Sequence, residues 1–363
     1  MLLTLLVAAR PLLMVHVMPW FAAPPVGKEW GWHWTMGKTE ASKGELASHF
    51  HPVGGAYDSS DPDVIERQSL LMKIAGFDGM LVDWYGDRDR YDYLPNHRVT
   101  QKLFEACGKT GLSFALVYED QTVPNLISGG VFKKEDAVAE GKALFARAAR
   151  AWFGSPVYQK VDGKPLLMVF GPQYYREDAW AGMLPSVSFY TLHHRRASAV
   201  GAYDWPLPQG GDADSWTRRA ELAHGIAIPV AYPRFQDFYK AAGIGPGYGQ
   251  IDDAGGKTYE RTLSDAIGRG SAIVQVATWN DWGEGTQIEP STEFGNRDLE
   301  TTQRARRKID PSFKFAVADL ELPYRLFSLR KRGVDAHRLD AVAQALGDGQ
   351  PALARVELGK LWK

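Results

Sequence analysis

Cysteine is nearly absent from this 363-residue chain: Cys107 stands alone. That excludes an internal disulfide framework and a thiolate metal cluster. Cys107 falls in a helical pattern and reads as a buried structural thiol. Charge of one sign is also missing. Lys and Arg number 42 against 43 Asp and Glu, a net of −1, so no electrostatic argument exists for nucleic acid or an anionic membrane. The one basic cluster, Arg330-Lys331-Arg332, is expected to be a solvated helix face. The apolar start, MLLTLLVAAR, is too short to span a bilayer, and no membrane span is expected. It ends in Ala8-Ala9 like a secretory signal but lacks a basic beginning. Residues 1–11 are therefore read as a strand leader or a clipped signal remnant. The second reading places the protein in the periplasm or outside the cell rather than in the cytoplasm. No dinucleotide-binding or P-loop glycine fingerprint follows any strand-like run, and no cofactor is expected.

Aromatic residues, by contrast, are plentiful. Twelve Trp, 15 Tyr and 16 Phe make up 12% of the chain, many of them in loop-like or strand-end positions. Flat rings on loops suit ligands with flat apolar faces, such as pyranoses. Eight short apolar runs recur: LLMVHVMPW (12–20), GMLVDWYG (79–86), SFALVYED (113–120), PLLMVFG (165–171), SVSFYTL (186–192), AVGAYDW (199–205), IAIPVAY (226–232) and AIVQVATWN (272–280). Runs of this length without clean alternation indicate strands buried on both faces, as in parallel sheets. Helical patterns lie between many of them. Residues 62–75 follow an Asp61-Pro62 cap, with Ile65, Leu70, Leu71 and Ile74 along one side. Residues 134–152 carry Val138, Phe145, Ala149 and Trp152. The link HHRRAS between the fifth and sixth runs is too short for a helix. This alternation predicts an α/β fold, a (β/α)8 TIM barrel over 12–320. Residues 321–363 form a helical extension, with AHRLDAVAQAL (336–346) and PALARVELGKL (351–361) as helices covering the outer face of the barrel.

In such barrels the active site lies at the C-terminal ends of the strands. Those ends hold Trp20, Asp83-Trp84-Tyr85, Tyr118-Glu119-Asp120, Tyr203-Asp204-Trp205, Tyr232 and the motif ATWNDWGEGTQIEPS (277–291). Acids interleaved with rings suit glycosidic bond cleavage, where one group protonates the leaving oxygen and another assists at the anomeric centre or a neighbouring hydroxyl. Asp281 and Glu284 would point to opposite faces of a continuing strand. Gly283 and Gly285 instead let the chain turn and aim both acids into one cavity. Trp279 and Trp282 would exclude water and raise one carboxyl pKa, separating acid from base. The competing reading is a polar loop with caps and packed indoles.

WNDWGEGTQIEPS resembles the signature of glycoside hydrolase families 71 and 99. HVMPW, DWYG and VYED follow the order in which those proteins show them, while WGWHWTMG (30–37) and HFHPVGGAYDSSDPDVIERQ (49–68) resemble bacterial members. The likeness runs from about His16 to Ser291. In family 99 the matching motif carries two glutamates. The first is implicated in deprotonating the sugar 2-hydroxyl, giving a 1,2-anhydro intermediate, and the second is the general acid/base. The resemblance thus implies Asp281 as base and Glu284 as acid. Asp281 is shorter than the family's glutamate, and catalysis is sensitive to displacements of ~1 Å. Family 71, the α-1,3-glucanases, has Asp in its similar string WNDYGES. Val17 replaces an aromatic frequent among relatives.

Further substrate contacts are expected from Trp20, Asp83, Trp84, Tyr85, Tyr118, Glu119 and Asp120, and from Tyr203, Asp204, Tyr232, Arg234, Asn280 and Trp282. Loop capping is the alternative for Asp83, Trp84, Glu119 and Asp120. Trp30, Trp32 and Trp34 alternate in a Gly-containing loop and suit sugar stacking; His33 and His16 could bond hydroxyls. Glu289 fits an ion pair or cap as well as substrate. His49-Phe50-His51 and His193-His194 invite a zinc reading. However, the H-x-H pair lies in a loop about thirty residues past the first strand, and adjacent histidines diverge on a strand, so no metal site is expected. The expected function is hydrolysis of α-linked oligo- or polysaccharides of α-mannan or α-glucan type. The alternatives are a barrel that binds carbohydrate without cleaving it and a glycan-processing transferase.

Overall fold

The computed structural model describes residues 10–208 and 227–362; residues 1–9 of the segment 1–11 expected as a leader or signal remnant, the first residue of the run at 226–232, the link at 209–225 and residue 363 lie outside them. Eight parallel strand positions line the barrel. They are β1 (Leu12–Val17), β2 (Gly79–Trp84), β3 (Ser113–Tyr118), β4 (Lys164–Val169), β5 (Ser188–Leu192), β6 (Gly201–Tyr203), β7 (Ala227–Ile228 continuing as Val230–Ala231) and β8 (Ile273–Val276). Every residue of β2 and β8 is buried, as expected of strands covered on both faces. Neighbours pair in chain order, and β1 closes onto β8 through Leu12↔Ile273 to Val15↔Val276.

Closure between β6 and β8 runs through a broken strand. Ala227–Ile228 pairs with β6, and Val230–Ala231 pairs with β8. Pro229 lies between and has no N–H to donate, which interrupts the ladder; its carbonyl still accepts the Gln275 amide at 2.9 Å.

The helix Pro62–Ala75 starts where its cap predicts. Asp61 accepts the Asp63 amide at 3.0 Å, Pro62 occupies the first turn, and Gly76 ends the helix at φ 102°. Ile65, Leu70, Leu71 and Ile74 are buried. In the second expected helix the phase differs. Ala137–Ala148 buries Ala137, Gly141, Leu144, Phe145 and Ala148, leaving Val138 exposed. A π turn over Ala149–Phe153 then shifts the register so that Trp152 is buried beside Phe153. No helix separates β5 from β6. Cys107 is buried and unpaired. Among the described residues no helix is long and apolar enough to cross a membrane.

Helices Leu322–Lys331, Ala336–Gly347 and Pro351–Leu361 pack outside the barrel, with Leu339, Val342 and Leu346 buried. The basic cluster there is not simply solvated, which corrects the sequence expectation. Arg330 pairs with Glu66 and Asp340 (2.8 and 2.7 Å), and Lys331 with Asp61 and Asp63 (2.7 and 2.8 Å). Asp340 comes from the next helix, but Glu66, Asp61 and Asp63 come from the start of the helix Pro62–Ala75, 264 to 270 residues earlier in sequence, beyond the reach of local pattern. Leu339→Ala should cost about 2–5 kcal/mol in urea unfolding, the usual loss for a deleted core side chain. Leu353→Ala, on an exposed site, should stay within about 0.5 kcal/mol. Equal effects would contradict the packing of these helices.

Candidate active site

The strand ends open onto a cavity of ≈ 590 Å³. Its shape depends on the turn after β8. The Trp279 amide donates to His16 O (2.7 Å), tying the chain to β1. Asn280 clamps the exit of β1 from both sides. Its Oδ1 accepts the Met18 amide (2.8 Å) and its Nδ2 donates to Met18 O (2.9 Å). The Asp281 amide donates to Thr278 Oγ1 (2.8 Å), and Asp281 Oδ1 accepts the Glu284 amide (2.9 Å), an Asx-type turn. Gly285 has φ 68°, and a Cβ there would lie 2.6 Å from Gln236 O. Gly283 is not left-handed, so only one of the two motif glycines is needed for backbone freedom. The Gln236 and Phe238 amides donate to Glu284 O (2.8 Å) and Gly283 O (2.9 Å), securing the outer side.

Both acids therefore face the cavity, Asp281 almost fully buried and Glu284 partly so. Burial raises the Asp281 pKa to about 6, partly offset by the Glu284 amide and increased by the nearby Glu119 charge. Burial and then the Asp281 charge push Glu284 well above the usual carboxylate range, with the Trp205 indole opposing. Asp83 and Glu119 add two more carboxyls to the lining, and burial raises both pKa values. The Glu119 charge holds Asp83 up further. No Lys or Arg lines the cavity among the described residues.

Rings form its walls. Trp20 and His33 stack at 4.2 Å and 11°, with Tyr85 5.7 Å from Trp20. His33 Nε2 lies 3.3 Å from Asp92, and burial lowers its pKa despite that partner. Trp32, Tyr239 and Tyr248 line the cavity too, with Trp32 and Tyr248 about half exposed. His16 is buried against Trp205 at 4.8 Å, and desolvation lowers its pKa to about 3, leaving a neutral ring.

Of the expected contacts, the structure brings together His16, Trp20, Trp32, His33, Asp83, Tyr85, Glu119, Asp281 and Glu284. It places the others behind the wall, mainly because alternate strand-end residues face the helices. Trp84 packs on Trp152 and donates to His97 Nδ1 (3.2 Å). Tyr118 lies against Phe145. Asp120 accepts the amides of Gln173, Tyr174 and Tyr175 (2.7–2.9 Å), which is the capping role. Tyr203 donates to Val169 O (2.9 Å), and Tyr232 is buried. Arg234 pairs with Asp253 and Asp298. Asn280 serves the clamp, and Trp282 is sealed beside Trp34. Trp34, expected to stack on sugar, is fully buried and donates to Tyr57 O (2.8 Å). Glu289 is a buried partner of Tyr57, Gln68 and Arg67. The expectations had missed Trp205, whose Nε1 donates to Glu284 Oε2 at 3.2 Å, and His193 as a cavity residue. Trp205 was visible as a strand-end ring; His193 carried no directional signal.

With this geometry described, known proteins give a consistent likeness. No protein-family profile matches the chain. The "Glycoprotein endo-alpha-1,2-mannosidase" of Mus musculus is 25% identical over 273 residues, covering 68% of this chain and 57% of the relative. The "Glycoprotein endo-alpha-1,2-mannosidase-like protein" of Danio rerio is 21% identical over 276 residues, covering 68% and 60%. The chain thus spans less than two thirds of these relatives. A family 99 endo-α-mannosidase from Bacteroides thetaiotaomicron superposes with a TM-score of 0.62 at 21% identity, over 82% of this chain and 96% of its own. The fold is that of a family 99 glycoside hydrolase. In sequence the chain resembles the family 99 endo-α-mannosidases. A solved "Glycoside hydrolase-like protein" matches with a TM-score of 0.58 at 13% identity, over 82% and 94%.

The Trp205 contact is testable. Its N–H stabilises the ionised form of Glu284, so Trp205→Phe should raise the Glu284 pKa, read by carboxyl ¹³C NMR titration. A lowered or unchanged value would remove Trp205 from the electrostatics of the site.

Proposed function

We propose that the chain is a glycoside hydrolase acting on α-linked glycans of α-mannan or α-glucan type, with Asp281 as base and Glu284 as acid. The observation that carries this is a pair of carboxyls three residues apart, facing one ring-walled cavity with their proton affinities separated. The likeness to endo-α-mannosidases supports the choice of α-linkage.

The lower of the two raised pKa values leaves Asp281 ionised near neutrality, while burial and the Asp281 charge favour the protonated form of Glu284. Asp281 takes the proton of the sugar 2-hydroxyl as that oxygen closes on the anomeric carbon. Glu284 protonates the departing glycosidic oxygen. Water then opens the 1,2-anhydro ring, giving its proton to the Glu284 carboxylate, while Asp281 returns its proton to the 2-oxygen. Two displacements at one carbon retain its configuration, whereas direct attack by water would invert it. Trp20, Tyr85 and Trp32 supply apolar faces for the sugar rings.

Asp281 sets the acid limb of the rate profile. Protonating it below about pH 6 removes the base, so kcat/KM should rise through pH 6 and fall only where Glu284 loses its proton. Glu284→Gln should abolish turnover and preserve binding. Product NMR on α-mannan and α-glucan oligosaccharides reports linkage and anomeric outcome together. Binding without release of reducing ends from any member would favour the non-hydrolytic barrel, a reading motivated by the short Asp281 side chain. Transfer from an activated donor without hydrolysis would favour a transferase.

A further inference from the structure

His193 has no role in the chemistry above, yet it lines the same cavity as Asp281 and Glu284. It follows β5 directly and has φ 59°, the left-handed region that residues other than glycine seldom occupy. Its amide donates to Tyr203 O (2.7 Å), which seats the residue against the end of β6. There Asp204, fully buried, places Oδ1 2.7 Å from His193 Nδ1. The same Oδ1 accepts the Trp205 amide at 2.9 Å, and Gln275 Nε2 on β8 donates to Asp204 O at 3.0 Å. Asp204 is thus tied to β8 through its backbone carbonyl, while its Oδ1, held by the Trp205 amide, engages Nδ1 of His193 and leaves Nε2 as the ring nitrogen open to a ligand. A carboxylate accepts, so Nδ1 carries the hydrogen, and in the neutral ring Nε2 is then the acceptor. One residue further on, the Trp205 indole holds Glu284. A single buried acid therefore places both an imidazole and the support of the proposed acid.

We propose that His193 is a glycan-contact residue whose Nε2 accepts a sugar hydroxyl, and that Asp204 is the positioning residue that sets its tautomer and direction. This rests on the carbohydrate reading of the cavity. An imidazole facing a polar cavity in a rare backbone conformation, with its other nitrogen fixed by a buried carboxylate, is organised for recognition rather than for packing.

The test uses the full chain carrying Glu284→Gln, with α-linked manno- and gluco-tetrasaccharides as probes in calorimetric titration. Adding His193→Ala should weaken the dissociation constant about five- to tenfold, the range for one lost hydrogen bond. Adding His193→Gln should recover part of the loss, since its amide oxygen can accept the same hydroxyl. ¹⁵N NMR of the Glu284→Gln chain should show Nδ1 of His193 protonated, and Asp204→Asn should shift the ring toward the Nε2–H form. Because the His193 side chain is 22% exposed, its removal does not depend on core repacking; matching melting temperatures confirm this. If Glu284→Gln binds a probe and His193→Ala binds it equally well, this inference falls alone. An Nε2–H ring in the Glu284→Gln chain overturns the role of Asp204. Failure of Glu284→Gln to bind any probe overturns the carbohydrate reading, and this inference with it.

Discussion

The site depends on burying carboxyl groups without a neighbouring cation. Removing an acid from water disfavours its charged form, and a second acid nearby disfavours it again. Asp281, Glu284, Asp83 and Glu119 share one cavity in which the described lining offers imidazoles, indoles and amides but no Lys or Arg. All four are consequently pushed upward, to different extents. The Glu284 amide draws Asp281 down while the Asp281 charge drives Glu284 up, and this keeps their proton affinities apart; the Trp205 indole opposes the rise at Glu284. An arginine in this lining would bring all four acids down together and erase that separation.

Keeping such a cavity open requires a rigid frame around the turn. Asn280 joins the exits of β8 and β1, and Gly285 permits the close approach of Gln236 O. Behind the turn, Glu289 with Tyr57, Gln68 and Arg67 forms a second polar network. The cations in this region sit behind the wall rather than on it: Arg67 faces Glu289, and Arg234 faces Asp253 and Asp298. Spending them on structure leaves the acids of the cavity uncompensated.

Residue by residue, the sequence marked the neighbourhood more reliably than the direction of each side chain. The run GMLVDWYG identified a strand end, yet Asp83 and Tyr85 face the cavity while Trp84 packs outward on Trp152. In VYED the inward residue is Glu119, flanked by Tyr118 and Asp120 behind the wall. Period-two alternation makes this separation inevitable, but its phase at the end of a strand depends on how the chain leaves the sheet. Trp34 was misread for a related reason, since a tryptophan in a glycine-containing loop looks the same whether it stacks on a ligand or closes a core.

The sequence by itself determined the alternating strands and helices, the cap at Asp61, and the presence of Asp281 and Glu284 at a strand exit. Those features are local, being set by apolar periodicity, backbone freedom and residue order. Tertiary structure alone decided that Pro229 would split the closing strand, that Arg330 and Lys331 would meet acids from residues 61–66 and Asp340, and that His193 would meet Asp204. It also decided the protonation of the cavity. Desolvation and charge coupling depend on which groups converge in space, and spacing along the chain does not encode that convergence.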